Sequence, residues 1–388
     1  MRAPSTDREG LSRTAVPGPI VGRPTVAAVD LDALAHNYGE VTRRIGGRKV
    51  LAMVKAQAYG HGAVAVAKRL SALGVSMFGV ALVEEGIELR NAGISQPVLV
   101  MSPVFADQAE AVIEARLTPV VFNASVVRAL SAAAVKAGVS QAVHVKVDTG
   151  MGRLGLTPED AAVFVPEIAG LPAIVVEGAM THFADADLRD KQFAATQMER
   201  FEKFLKIVED RGVQVPLRHA ANSAAVLEYD RALFTMVRPG IMLYGCNPLE
   251  SGGDAGLRPV LSLRTKIAFL KKMPKGTPVS YGRTFVTQRE SFIAVIPAGY
   301  ADGIDRGLSN RGEALVRGRR VPIAGRVCMD MTMLDVTDVP GAAEGDDVVL
   351  IGSQGQERIT ADEVAAKIDT ISYEVLCGIS SRVPRIYV

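Results

Sequence analysis

The sequence predicts an α/β chain in which a (β/α)8 barrel of the TIM type precedes a mainly β C-terminal domain. Three observations predict it. From about Arg23 to Gly245, short apolar runs alternate with longer amphipathic ones. This is the texture of strands buried on both faces and of helices with a 3.6-residue period. About eight or nine such units in roughly 220 residues suit a closed barrel better than an open sheet. The GxGxxG turn of a dinucleotide-binding sheet is missing. After "NPLESGGDAGLRP" the pattern changes to short strand-like runs separated by turn residues.

The units follow in order. "VAAV" leads into "DLDALAHNYGEVTRRI", "KVLAMV" into "GAVAVAKRLSAL", "MFGVAL" into "VEEGIELRNAG" and "PVLVMS" into "DQAEAVIEA". "TPVVF", "AVHVKV", "VVEGAMTHF" and "LRHAA" each precede a helical segment, and "FTMVRPGIML" closes the series. Thr157-Pro158-Glu159-Asp160 gives one helix a threonine N-cap, a proline at the first position and an acid at the third. The expected division is a loose tail over 1–22, the barrel over 23–250 and the β domain over 258–388, the last containing one capped helix, "TADEVAAKIDT".

Composition excludes several classes. The formal charge of +2 gives no field for nucleic acid or anionic lipid. No apolar run is long enough to span a bilayer, and the start lacks the apolar core of a signal peptide. Cys246, Cys328 and Cys377 are far apart, without CxxC spacing, as expected of a cytoplasmic protein with neither disulfides nor a zinc site. No other metal-ligand cluster is visible, so no metal is expected.

Functional residues of such barrels gather at the C-terminal ends of the strands. Lys55 follows "VLAMV" directly. It is either a Schiff-base nucleophile and base of lowered pKa or a lysine that snorkels from a strand end. Tyr59 is a phosphate contact or a packing residue. "HVKVDTGMGRLG" brings Lys146, Asp148 and Arg153 to another strand end, with an arginine suited to a carboxylate or phenolate. His182 in "THFADAD" is a satisfied structural histidine or a catalytic one. Asn222 and Ser223 in "HAANSAA" are a helix cap or a phosphate site. Arg238, Gly240 and Ile241 in "MVRPGIMLYG" stand where barrels often bind phosphate, although Arg238 also reads as a surface cation. In the β domain, Tyr281, Tyr300 and the Cys328-Met329-Asp330 run are individually unremarkable.

Taken in order, "MVKAQAYGHG", "KVDTGMGRLG", "THFADAD", "HAANSAA", "MVRPGIMLYG", "VSYGRTF", "PAGYADG", "GRVCMDM" and "ISYEVLCGISSRVPRIY" resemble the alanine racemases, which use pyridoxal 5′-phosphate (PLP). The resemblance spans about Arg23 to Val388 and implies the same two-domain fold. It implies that Lys55 carries PLP as a Schiff base and acts as the base for D-alanine, with Tyr281 the base for L-alanine. It further implies a homodimer in which Tyr281 and the Met329 backbone N–H, a substrate-carboxylate donor, come from the partner subunit. Tyr59, Ser223, Gly240 and Ile241, with Asn222 beside them, would hold the phosphate. Arg238 would face the pyridine nitrogen, His182 would link it to Tyr281, and Arg153 would orient cofactor and substrate. Lys146 matches a lysine carbamylated in some members, and Tyr300 one that lines the substrate entryway. The implied role is supply of D-alanine for peptidoglycan.

Three positions depart from the family's usual pattern: Gln57 in place of Asn or Asp, Met331 in place of Gln, and Ser381 in place of a tyrosine of some members. The last leaves room for a serine or broad-specificity racemase. A decarboxylase of related architecture would want an acid opposite the pyridine nitrogen. A non-catalytic PLP-binding regulatory protein would not need both Lys55 and Tyr281.

Overall fold

A computed structural model describes residues 22–388. The expected tail, 1–22, lies outside the described residues except for its last position. Eight parallel strands form one sheet, in the order β8-β7-β6-β5-β4-β3-β2-β9. They are β2 (Lys49–Met53), β3 (Met77–Val80), β4 (Val98–Val100), β5 (Thr118–Val121), β6 (Gln141–Lys146), β7 (Ile174–Met180), β8 (Leu217–His219) and β9 (Met236–Val237). The ends meet through backbone bonds from Thr235 N–H to Arg218 O (3.2 Å) and from Arg238 N–H to Ala221 O (2.9 Å). The strands are nearly all buried because helices cover their outer faces, as in the helix Leu31–Arg44, capped by Asp30. Thr157 caps the helix Pro158–Ala169 as expected, accepting from Asp160 N–H at 3.1 Å.

One expected barrel element belongs elsewhere. β1 (Val26–Val29), placed by its sequence within the 23–250 barrel, pairs antiparallel with β10 (Leu261–Lys266) and parallel with Arg385–Tyr387. It sits inside the main sheet of the second domain. A four-residue apolar run carries no information about which sheet it joins, and these two flanking strands bury it on both edges. The rest of that sheet comes from Glu313–Val316, Arg319–Pro322, Asp347–Gln354 and Glu357–Ile359. A three-stranded sheet (Phe269–Met273, Ser291–Ile296, Thr332–Asp335) lies beside it. The expected helix after Thr360 is present over Ala361–Lys367; a further helix, Ser372–Cys377, returns to the barrel mouth. Among the described residues, no helix is long and apolar enough to cross a membrane, and no group of three or more His, Cys, Asp or Glu could hold a metal ion.

Candidate active site

The C-terminal ends of the barrel strands open into a cavity of about 380 Å3. Its wall contains Lys55 beyond β2, Lys146 at the end of β6, Arg153 in the following loop, and His182 beyond β7. Asn222 and Ser223 follow β8, and Arg238, Gly240 and Ile241 follow β9. Tyr59 completes the set. Among the described residues, four Lys and Arg side chains and His182 line the cavity and no carboxylate does, so its chemistry favours an anionic ligand.

Lys55 opens an unusual turn. Ala56, Gln57, Ala58 and Tyr59 all have φ between 51° and 54°, a left-handed helical turn built without glycine. Each such residue costs about 1–2 kcal/mol, and named contacts offset the strain. Glu85 accepts from Ala56 N–H at 2.6 Å, and Gln57 donates to Glu88 at 2.8 Å. His61, fully buried, lies with Nδ1 2.9 Å from the carbonyls of both Ala58 and Tyr59 and stacks on Tyr244 at 4.5 Å. At Gly60 (φ 86°) an added Cβ would fall 2.2 Å from Leu376 O, so only glycine lets the second domain's last helix approach. The turn aims both Lys55 and Tyr59 into the cavity. Burial, and then the nearby Arg153 cation, lowers the pKa of Lys55.

Tyr59 leans on Tyr244 and Tyr373, with ring centroids 5.1 and 5.9 Å away. A Cβ at Gly240 would lie 2.5 Å from its hydroxyl. Ser223 Oγ accepts from Gly240 N–H at 2.8 Å, and Asn222 caps its helix by accepting from Ala225 N–H at 3.0 Å. Phenol, hydroxyl and bare backbone therefore converge on one small space.

Arg238 is buried, which lowers its pKa to about 9 and leaves it charged at neutral pH. Its terminal nitrogens donate to the carbonyls of His219 (2.7 Å), Thr181 (2.8 Å) and Ala220 (3.0 Å), and approach His182 Nδ1 at 3.2 Å. Its Nε–H has no acceptor among the described residues. Burial first, then Arg238, holds His182 neutral. Lys146 Nζ is buried without a hydrogen-bond partner among the described residues, and desolvation brings its pKa down to about 7. Asp148 accepts from Gly150 N–H (3.0 Å) and Gly152 N–H (3.0 Å), so it shapes the loop that carries Arg153.

Three expected site residues stand apart. Tyr281, Met329 and Tyr300 do not line the cavity of their own chain, and they are 72%, 52% and 42% exposed. With Met331 (51%) they form exposed apolar surface on neighbouring β-domain loops. Ser381 is also exposed and outside the lining. The sequence reading missed Tyr373, Met101, Ser102 and Leu154, which do line the cavity. Tyr373 and Leu154 lay in motifs already singled out, without being named themselves.

The N-terminal part of the chain, residues 29–248, matches the family model for the alanine racemase N-terminal domain, and residues 260–387 match that for the C-terminal domain. The chain belongs to the alanine racemase family. It is 47% identical over 369 residues to the alanine racemase of Halothermothrix orenii, covering 95% of this chain and 97% of that one. It is 49% identical over 369 residues to alanine racemase 2 of Caldanaerobacter subterraneus, covering 94% and 95%. Among solved structures, the alanine racemase of Clostridium difficile 630 superposes with a TM-score of 0.91 at 35% identity, covering 95% and 97% of the two chains. The alanine racemase of Bacillus anthracis, solved with bound L-Ala-P, gives 0.87 at 37%, covering 95% and 96%. Both halves of the alanine racemase fold are thus represented, the barrel with its cavity and the β domain with its exposed loops.

Proposed function

We infer that this chain is an amino-acid racemase that interconverts L- and D-alanine, with PLP held in the barrel-mouth cavity. One observation carries the reading. A lysine of lowered pKa shares a cavity with three further Lys and Arg side chains, one of them the buried Arg238, and with no carboxylate among the described residues. That lining suits an anionic cofactor and an amino-acid carboxylate, and it lacks the acid that a decarboxylase of related architecture would place against the ring nitrogen.

The residues fit PLP. The part of the cavity wall formed by Tyr59, Ser223, Gly240 and Ile241 would suit a phosphate, with Gly240 lacking the Cβ that would crowd Tyr59 Oη and Asn222 holding the turn. The phenol of Tyr59, its pKa raised by burial, stays protonated and donates. Arg238 can donate through its free Nε–H but cannot accept, so a ring nitrogen facing it stays unprotonated.

PLP, when bound, supplies the electron sink that acidifies the substrate α-carbon. Lys55 would hold the cofactor aldehyde through Nζ, and the same nitrogen, once free, would take or return the α-proton on one face, that of D-alanine. The hydroxyl of Tyr281 does so on the opposite face, that of L-alanine. Arg153 and the Met329 N–H, which has no acceptor among the described residues, orient the substrate carboxylate. Because Tyr281 and Met329 are exposed in their own chain, the site is completed by a second copy in a homodimer, with Tyr300 at the entryway. His182, accepting from Arg238 on Nδ1, would turn Nε2–H toward Tyr281. Carbamylation of Lys146, in which the neutral Nζ adds CO2 and releases a proton, would turn an orphaned amine into an anion beside Arg153.

The cofactor-binding unit in this reading runs from about residue 30 to 250, and the second domain comprises 258–388 with β1. Three free cysteines support a reducing, cytoplasmic setting, where the product would supply D-alanine for peptidoglycan. The test is incubation of PLP-loaded protein with either alanine enantiomer in deuterated water. Both should converge on an equal mixture with deuterium at the α-carbon; exchange without inversion would overturn the two-base assignment. A turnover panel with serine, lysine and arginine separates this reading from a broad-specificity racemase.

A further inference from the structure

Behind Arg238 lies a hydrogen-bonded chain that the reaction scheme does not use. His219 Nδ1 is 3.3 Å from an Arg238 terminal nitrogen, and its Nε2 is 2.8 Å from His144 Nδ1. His144 Nε2 is 3.1 Å from Glu177 Oε2. Both histidines are fully buried, while the glutamate side chain is 34% exposed.

The backbone is shaped to admit this chain. His144 lies two residues before Lys146 on β6, so it shares the inward face of the strand. Val143 pairs with Val176 and His144 with Gly178, which leaves Glu177 as an extra residue in β7. Such a bulge re-aims a side chain, and here it brings the carboxylate onto His144. A Cβ at Gly178 would lie 2.5 Å from His144 Nδ1. A bulge, a glycine and two buried histidines in place of branched apolar side chains serve one ring.

Donor logic then fixes every proton. Arg238 can only donate, so His219 Nδ1 accepts and its hydrogen sits on Nε2. That hydrogen points at His144 Nδ1, so His144 carries its own on Nε2 and gives it to the Glu177 carboxylate. With the opposite tautomer of His219, two N–H groups would face each other at Arg238, and the guanidinium would have to turn.

We propose that His144 and Glu177 are positioning residues that hold His219 in its Nε2–H form, and thereby hold Arg238 with its Nε–H presented to the cavity. The role assigned to Arg238 rests on the reading that it faces the PLP ring nitrogen; the tautomers themselves do not.

Two measurements test this. The chain has five histidines, so 15N-histidine NMR of the PLP-loaded protein at neutral pH can be assigned by substitution. His144 and His219 should both be neutral and protonated on Nε2; an imidazolium or an Nδ1–H form at either would overturn the chain. The second compares His144→Asn with His144→Leu. Asparagine keeps an acceptor for His219, whereas leucine better matches the ring's bulk. For variants shown to be folded by circular dichroism, half-transamination of the cofactor per racemisation event should rise about ten-fold in the leucine variant, the scale of one buried charge-assisted hydrogen bond. It should stay near the wild-type value in the asparagine variant. Equal partition in the two variants, or a worse asparagine variant, would mean that His144 only fills space. Wild-type protein loaded with 15N-labelled PLP serves as the control. A protonated ring nitrogen there would refute the role of Arg238 and this proposal's purpose with it, while leaving the tautomer result to stand by itself.

Discussion

Gly240→Ala probes the phosphate cradle directly. The new methyl would sit 2.5 Å from Tyr59 Oη, 3.1 Å from its Cζ and 3.5 Å from Met53 Cβ. Tyr59 has little room to yield, since its backbone is held in the left-handed turn and its ring lies against Tyr244 and Tyr373. Overpacking of this kind costs about 1–3 kcal/mol. Moving the phenol aside instead forfeits its hydrogen bond to a phosphate, about 1.5–3 kcal/mol for a charged acceptor. Either route weakens PLP binding by roughly 10- to 100-fold if the penalty falls on the bound state. The assay is titration of apo-protein with PLP, followed by absorbance, with thermal unfolding of the apo form in parallel. Tyr59→Phe removes the atom that clashes most, so alanine should cost less in that background, with coupling of at least about 1 kcal/mol between the two sites. Wild-type PLP affinity and unchanged melting in Gly240→Ala would refute the cradle.

Three other outcomes are expected. Tyr281→Phe should keep the bound-cofactor spectrum while turnover falls about 100- to 10,000-fold, the range for loss of a general base. Co-expressing it with Lys55→Ala should restore up to about a quarter of wild-type activity, because half of a random dimer population carries one intact site of two; no restoration would argue against shared sites. In CO2-free buffer, stability of the apo-protein should rise between about pH 7 and the ordinary lysine value of 10.5, because Lys146 has lost its proton in the folded state over that window while the unfolded chain still binds it. Lys146→Met should flatten that slope in urea melts. Below pH 6.5 stability should decline as unfolding takes up protons on His61, His182 and His219, all held neutral by burial, with His61 down to about 4. Potentiometric proton uptake on unfolding at pH 5 checks this.

The barrel was legible because strands buried on both faces leave continuous apolar runs, and Lys55, Lys146, Arg238 and Ser223 sit at their ends, where the cavity brings them together. β1 was not, because "VAAV" suits any interior strand. The left-handed turn was hidden, since Ala56, Gln57 and Ala58 lack the glycines that announce positive φ; only Gly60 and Gly62 hinted at it. Gln57 and His61, without a role in the sequence, are explained by that turn, which they tether to Glu88 and to the backbone. Tyr373 was obscured inside a short helix whose return to the barrel depends on distant packing against Gly60. The bulge at Glu177 leaves no mark in sequence, since it exists only in the pairing of β6 with β7.

The central claim is that Lys55 carries the cofactor. Borohydride reduction of PLP-loaded protein, followed by proteolysis and mass spectrometry, tests it most directly. The expected result is a single pyridoxyl adduct on the peptide containing Lys55, absent from Lys55→Ala. Labelling of Lys146 instead, or no adduct in PLP-saturated protein, would contradict it.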